Sequence, residues 1–159
     1  MISAFFILNQ MVFKSKIDWF FKGFILLFFG IGIIGDIFLI KSIENSREIV
    51  FFQVFFIGLA VFFYVLQRTT DYTFKLTDLY CRSAIFHKSL PYSSIRKIEV
   101  GTKFYAGLKF STSLQGLIIH YNKFDNLFIS PENQELFMEK LVALNPAITI
   151  IRIEKTNKK

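Results

Sequence analysis

Two long apolar runs split by a short polar octet constrain this chain more than any other feature. Residues 23–40 and 49–66 are each about eighteen residues long and dominated by Phe, Ile, Leu, Val and Gly, and an α-helix needs about 17–25 such residues to cross the hydrocarbon core of a bilayer. Trp19, Phe20 and Phe21 extend the first run, and the octet KSIENSRE supplies a turn between the two. The pattern predicts a transmembrane helical hairpin with spans at residues 19–40 and 49–66. Gly23, Gly30 and Gly58 are small residues of the kind that lets helices approach in lipid. Asp36 lies four residues before Ile40, close enough to reach the far headgroups, and Gln53 is a candidate hydrogen-bond partner between the helices. A proton or ion relay would require a second acid or a histidine in the runs, and neither run supplies one.

Beyond the runs the chain changes character. The mean hydropathy of +0.45 over 159 residues comes mostly from the first part. From Gln67 onward there are 14 Lys and Arg against 8 Asp and Glu, the composition of a small basic domain. The Lys and Arg near the span ends set the orientation: Lys14, Lys16 and Lys22 precede the first span, Arg68, Lys75 and Arg82 follow the second, and only Lys41 and Arg47 flank the octet. Positive charge stays on the cytoplasmic side, so both termini and the basic domain are expected there. Cys81 is the one cysteine; it cannot form an internal disulfide and has no partner for a metal site, so we read it as a strand residue.

Residues 1–18 form an N-terminal segment. Its apolar start is too short to span, and an interfacial segment and an extension upstream of Met11 are both open readings. After the second span the period becomes that of strands. Tyr72, Phe74 and Leu76 alternate with polar neighbours in TDYTFKL; LYCRSAIF, IRKIEV, LIIHY and DNLFIS follow as further strands, with Pro91 at an edge and a turn at residues 122–124. The stretch GTKFYAGLKFSTSLQG reads as irregular strand and loop. SPENQELFMEKLVALNP predicts one helix, with Ser130 as cap, Pro131 in the first position, Glu132 in the first turn, Phe137, Leu141 and Leu144 on its buried face, and Asn145–Pro146 as its stop. Residues 147–159 are a basic tail that adds an edge strand or lies loose. Six or seven short strands closed by one helix describe a small all-β barrel or sandwich at residues 67–146.

At this point the chain resembles a known family. The stretches FKSKIDWFFKG, YTFKLTDLYCRSAIFHKSLPYSSIRKIEV and LIIHYNKFDNLFISPENQELFMEKLVALNP are similar to bacterial pleckstrin-homology-like (PH-like) domains that follow short N-terminal membrane hairpins. The resemblance implies a seven-strand, one-helix fold in a bacterial cytoplasmic membrane. It supplies no activity, and phosphoinositide chemistry does not transfer on likeness of fold alone. Ala84 stands where a Gly commonly makes the second-strand turn; Ala tolerates positive φ poorly, so a more regular strand is expected there. The chain also adds residues at both ends.

Catalytic patterns are missing from the sequence. His87 and His120 stand on separate strands, no HExxH, GxSxG or Walker pattern occurs, and a pairing of Ser93 with His120 would lack an orienting acid. The sequence therefore predicts a non-enzymatic protein without cofactor or metal. Arg82, Lys88, Arg96, Lys97, Lys103 and Lys109 are the candidate membrane- or anion-facing residues, since a surface Lys or Arg beside anionic lipid contributes about 1 kcal/mol. The expected partners are the bilayer and a protein, peptide or anionic lipid headgroup. Nucleic acid is not expected, because the domain's charge is modest and its tether holds it at the membrane. The leading reading is a membrane-anchored binding or adaptor protein. Two alternatives are an envelope-protection or self-immunity protein against a membrane-active peptide, suggested by related domain architectures, and a small channel or transporter subunit, which would need an oligomer to form a pore.

Overall fold

The computed structural model describes the backbone at residues 11–42, 46–102 and 108–153, and the side chains of the same residues except 36–42, 46 and 102. The chain forms two units: Ile17–Arg68, and Met1–Lys16 together with Thr69–Lys159.

The first unit is helical. Its apolar runs become α1 (Trp19–Ser42) and α2 (Ser46–Thr69). Within α2, Arg47–Thr69 is long and apolar enough to cross a membrane, whereas the described apolar part of α1, Trp19–Gly35, is shorter than a span. One helix thus meets the length and composition of a span where the sequence predicted two. The helices pack through Phe rings: Phe63 stacks on Phe24 and Phe28 at 5.5 and 5.6 Å between centroids, and Phe28 meets Phe56 at 6.3 Å. Gly23, Gly30 and Gly58 are not the close-approach points that were expected, for a side chain added at any of them would meet open space. The approach is at Gly32, where an added Cβ would lie 3.7 Å from Phe56 Cβ, and at Gly35, where it would collide with the ring of Phe52. Phe side chains fill the interface, so glycine is needed only where a ring points at the opposing backbone. The side chain of Asp36 lies outside the described residues.

Elsewhere α2 presents its apolar side chains outward: Val50, Phe51, Val54, Phe55, Val61 and Phe62 are all exposed. Burial of one such side chain contributes about 1.5–3 kcal/mol. Leaving all of them in water would forfeit an amount comparable with the entire stability of a typical domain, about 5–15 kcal/mol. A lipid surrounding removes that penalty.

The second unit is a two-sheet sandwich with a helical cap, and its sheets do not close into a barrel. Sheet one has the antiparallel order β1 (Val12–Lys14), β2 (Asp71–Phe74), β3 (Asp78–Ser83), β4 (Phe86–Pro91). Sheet two uses β5 (Ile95–Thr102), β6 (Leu108–Phe110), β7 (Gly116–Tyr121), β8 (Asp125–Ile129) and β9 (Thr149–Arg152), in the order β6-β8-β7-β5-β9, with β6 parallel to β8 and β9 parallel to β5. Alternation places Tyr72, Phe74, Leu79 and Leu90 of sheet one against Ile98, Leu117, Ile119, Leu127 and Ile129 of sheet two. The open side is filled by α3 (Gln134–Leu144), whose Phe137 packs edge-on against Phe13 and Phe74 at 5.2 and 5.1 Å.

Several expectations change here. The described strands number more than six or seven, because Val12–Lys14 and Thr149–Arg152 are recruited to sheet edges by pairing with partners remote in sequence. Leu76 falls in the loop after β2 and is exposed. The helix starts three residues later than predicted: Asn133, not Ser130, is its cap and accepts a hydrogen bond from the Leu136 amide at 3.1 Å, with Glu135 rather than Glu132 in the first turn. Ser130 is unavailable because its hydroxyl is held by Ser15 and Ser111 at 2.9 and 2.6 Å, deep in the sandwich. Met138 takes the buried place expected for Leu144. Ala84 does adopt a positive φ, +51°, so LYCRSAIF is not one regular strand but β3, a two-residue turn at Ala84–Ile85, and the start of β4.

A buried hydroxyl cluster ties the two sheets together. Tyr72 donates to the Phe110 carbonyl at 2.5 Å and accepts from the Ser130 amide at 3.0 Å, while Ser15 Oγ lies 3.2 Å from the same phenol. The Thr112 amide donates to Ser15 Oγ, and the Thr112 hydroxyl donates to the Lys16 carbonyl. Buried polar groups persist only when hydrogen-bonded, and here one tyrosine satisfies two main-chain groups from different strands. Burial drives its own ionisation far above the ordinary phenol range.

Candidate functional site

The register of sheet one gathers several features at one of its ends. Lys14 and Arg82 both pair with Asp71, and Ser83 pairs with Phe86 across the β3–β4 turn. The last residues of β1, the first of β2 and the β3–β4 turn are therefore neighbours. Both links to the helical unit leave from here, one after Lys16 and one before Thr69. The Ser15 amide bonds to the Thr70 carbonyl at 3.2 Å, the Ala84 amide to Thr69 Oγ1 at 2.9 Å, and the Thr70 and Ser83 hydroxyls meet at 2.8 Å.

Asp71 is the electrostatic centre of this end. Its side chain is 5% exposed, accepts a hydrogen bond from Arg82 at 2.6 Å, and lies 3.8 Å from Lys14. Across β3 and β4, His87 stacks on Tyr80 at 5.9 Å, and Lys75 sits 3.9 Å from the Tyr80 ring centroid. The turn itself carries Ile85, 84% exposed, and Phe86, 64% exposed. Behind it Cys81 is fully buried, and burial, aided by the nearby Asp71 charge, pushes its thiol well above the ordinary range.

The candidate basic residues are distributed over both sheets. Arg82 and Lys88 share the β3–β4 hairpin, with Lys88 5.7 Å from the Tyr121 ring centroid. Arg96 donates to the Lys123 carbonyl at 2.6 Å. Lys97 pairs with Glu99 at 2.5 Å, and this bond, first among the causes, holds the Glu99 carboxyl below the ordinary range. Lys109 lies on β6, three strands away from β5 in sheet two, over the ring of Phe128. Lys103 lies outside the described residues. Arg82 and Lys88 share one hairpin but lie on opposite faces of it, Arg82 opposite His87 and Lys88 opposite Cys81, and Arg96, Lys97 and Lys109 lie on sheet two.

The histidines are separated as well. His87 belongs to the Tyr80 stack, and His120 Nε2 lies 3.1 Å from Glu99 Oε1. Among the described residues, no three His, Cys, Asp or Glu side chains are grouped to hold a metal ion.

A sandwich of two sheets with a C-terminal helix across its open side invites comparison with known domains. Residues 70–145 match the bacterial PH domain family. The matched stretch begins one residue before β2 and ends at the cap of α3, so that β1, α1, α2 and β9 lie outside it. Comparison with curated proteins and with solved structures gave no match. The helices thus sit in sequence between the first strand of the sandwich and the stretch that the family describes.

Sequence reasoning missed Thr69, Asp71, Ile85 and Phe86 as parts of this end. A signal lay in the resemblance: Ala84 stands where the resembled family is expected to carry a turn-forming Gly, and a two-residue turn there puts Ile85 and Phe86 at a tip.

Proposed function

We propose that this chain is a non-enzymatic membrane-anchored binding or adaptor protein whose PH-like domain stands on the cytoplasmic side of a bacterial inner membrane. The observation that carries the reading is the helix Arg47–Thr69, apolar enough to span and joined to β2 through Thr70 alone. Support for α1 as a second span comes from its 24-residue helical length and its Phe contacts with α2. Two antiparallel spans bring both links to the same side, as sheet one requires. Lys14, Lys16 and Lys22 with Arg68, Lys75 and Arg82 outnumber Lys41 and Arg47, which favours that side as the cytoplasm. The ligand is a protein, peptide or anionic lipid headgroup.

The test is cysteine labelling in intact cells with a membrane-impermeant maleimide. Native Cys81 is buried and stays silent. Asn45→Cys, between the helices, is expected to label from outside, and Lys123→Cys, on the domain surface, only after permeabilisation. The reverse pattern overturns the orientation, and labelling of both positions from one side overturns the two-span hairpin.

A further inference from the structure

We infer that the β3–β4 tip, Ile85 and Phe86, is a lipid-inserting element that seats the PH-like domain on the bilayer surface; this rests on the membrane-anchored reading above. Two-residue hairpin turns normally use Gly, Asn or Asp. Here the turn is Ala84–Ile85, with Ala84 at φ +51° and the next two side chains 84% and 64% exposed. Neither side chain belongs to the buried core of the described residues.

Their position tells what they meet. The turn amide of Ala84 is bonded to the hydroxyl of Thr69, the last residue of the apolar helix. The neighbouring strand β1 ends beside Asp71, and the chain leaves it toward α1 within three residues of Lys14. If α2 crosses a bilayer, Thr69 lies at its headgroup boundary, and a tip hydrogen-bonded to Thr69 lies at the same boundary. The charge pattern agrees: Arg82, His87 and Lys88 flank the apolar pair, and long basic side chains keep their heads among anionic headgroups while neighbouring apolar groups enter the acyl boundary. The other exposed aromatic tip, Phe124 between β7 and β8, provides the contrast. It is 81% exposed and has Lys123 over its ring, but its turn bonds to Ser94 and Asp125 rather than to Thr69.

The experiment reconstitutes the full chain in phosphatidylethanolamine–phosphatidylglycerol vesicles. A fluorophore sensitive to polarity is attached at Ile85→Cys, at Phe124→Cys or at Phe62→Cys in α2, and is quenched by spin-labelled lipids of shallow or deep position. The expected result is a blue shift at Ile85→Cys with loss of emission to the shallow quencher, no such loss at Phe124→Cys, and loss to the deep quencher at Phe62→Cys. Quenching at Ile85→Cys no stronger than at Phe124→Cys, with Phe62→Cys quenched, overturns the inserting tip and leaves the anchor standing. If neither Ile85→Cys nor Phe62→Cys is quenched, both readings fall. Quenching at Ile85→Cys without quenching at Phe62→Cys supports the tip as a surface contact and removes the spanning helix.

Discussion

Tyr72 shows how single residues set the stability of the sandwich. Its phenol is the only atom that reaches both the Phe110 carbonyl and the Ser130 amide in the described hydrogen bonds, so Tyr72→Phe strands two buried main-chain groups at once. An unmet buried polar group costs about 1–3 kcal/mol. After partial relief by the nearby Ser15 hydroxyl, we expect Tyr72→Phe to lower the stability of the detergent-solubilised chain by about 2–3 kcal/mol, read as a shift in denaturation midpoint; an unchanged midpoint contradicts this role. The alternation around Tyr72 and Phe74 made their burial legible in the sequence. The phenol's partners were not, because Phe110 and Ser130 are brought to it only by the packing of one sheet on the other. Ser130 illustrates the same limit. Its local context is that of a helix cap, and a tertiary hydroxyl cluster claims it instead, leaving Asn133 to do the capping.

At the scale of elements, strands with clear alternation and a long amphipathic helix were readable, and short strands held by distant partners were not. Val12–Lys14 is three residues long and carries no periodic signal; β2, 59 residues away at Phe13↔Tyr72 by way of both helices, makes it a strand. The β3–β4 turn was misread for a different reason. Ala84 discourages a left-handed turn locally, yet Leu79–Leu90 and Cys81–Lys88 pairing fixes the hairpin around it. Left-handed backbone costs a non-glycine residue about 1–2 kcal/mol, while Gly adds about 0.4–1 kcal/mol of unfolded-chain entropy. Ala84→Gly is therefore expected to raise stability by about 0.5–1 kcal/mol, against the usual loss for Gly in a strand region. A fall of similar size in thermal or chemical unfolding would mean that the Ala84 methyl supports the hairpin more than its backbone strains it.

For the whole molecule, the organisation follows from a helical unit placed in sequence between two adjacent strands of one sheet. Because β1 and β2 are antiparallel neighbours, the chain leaves and rejoins the sandwich at one end. The apolar lengths were plain in the sequence, and so was the polar octet between them. What only the structure supplies is that the exit, the return and the β3–β4 tip share an end, with Asp71 balancing Lys14 and Arg82 there. The central claim is that Arg47–Thr69 is held in lipid and not against protein, and extraction of native membranes with alkaline carbonate tests it most directly. The account predicts that the full chain stays in the membrane pellet and leaves only with detergent, whereas its release into the supernatant would contradict it.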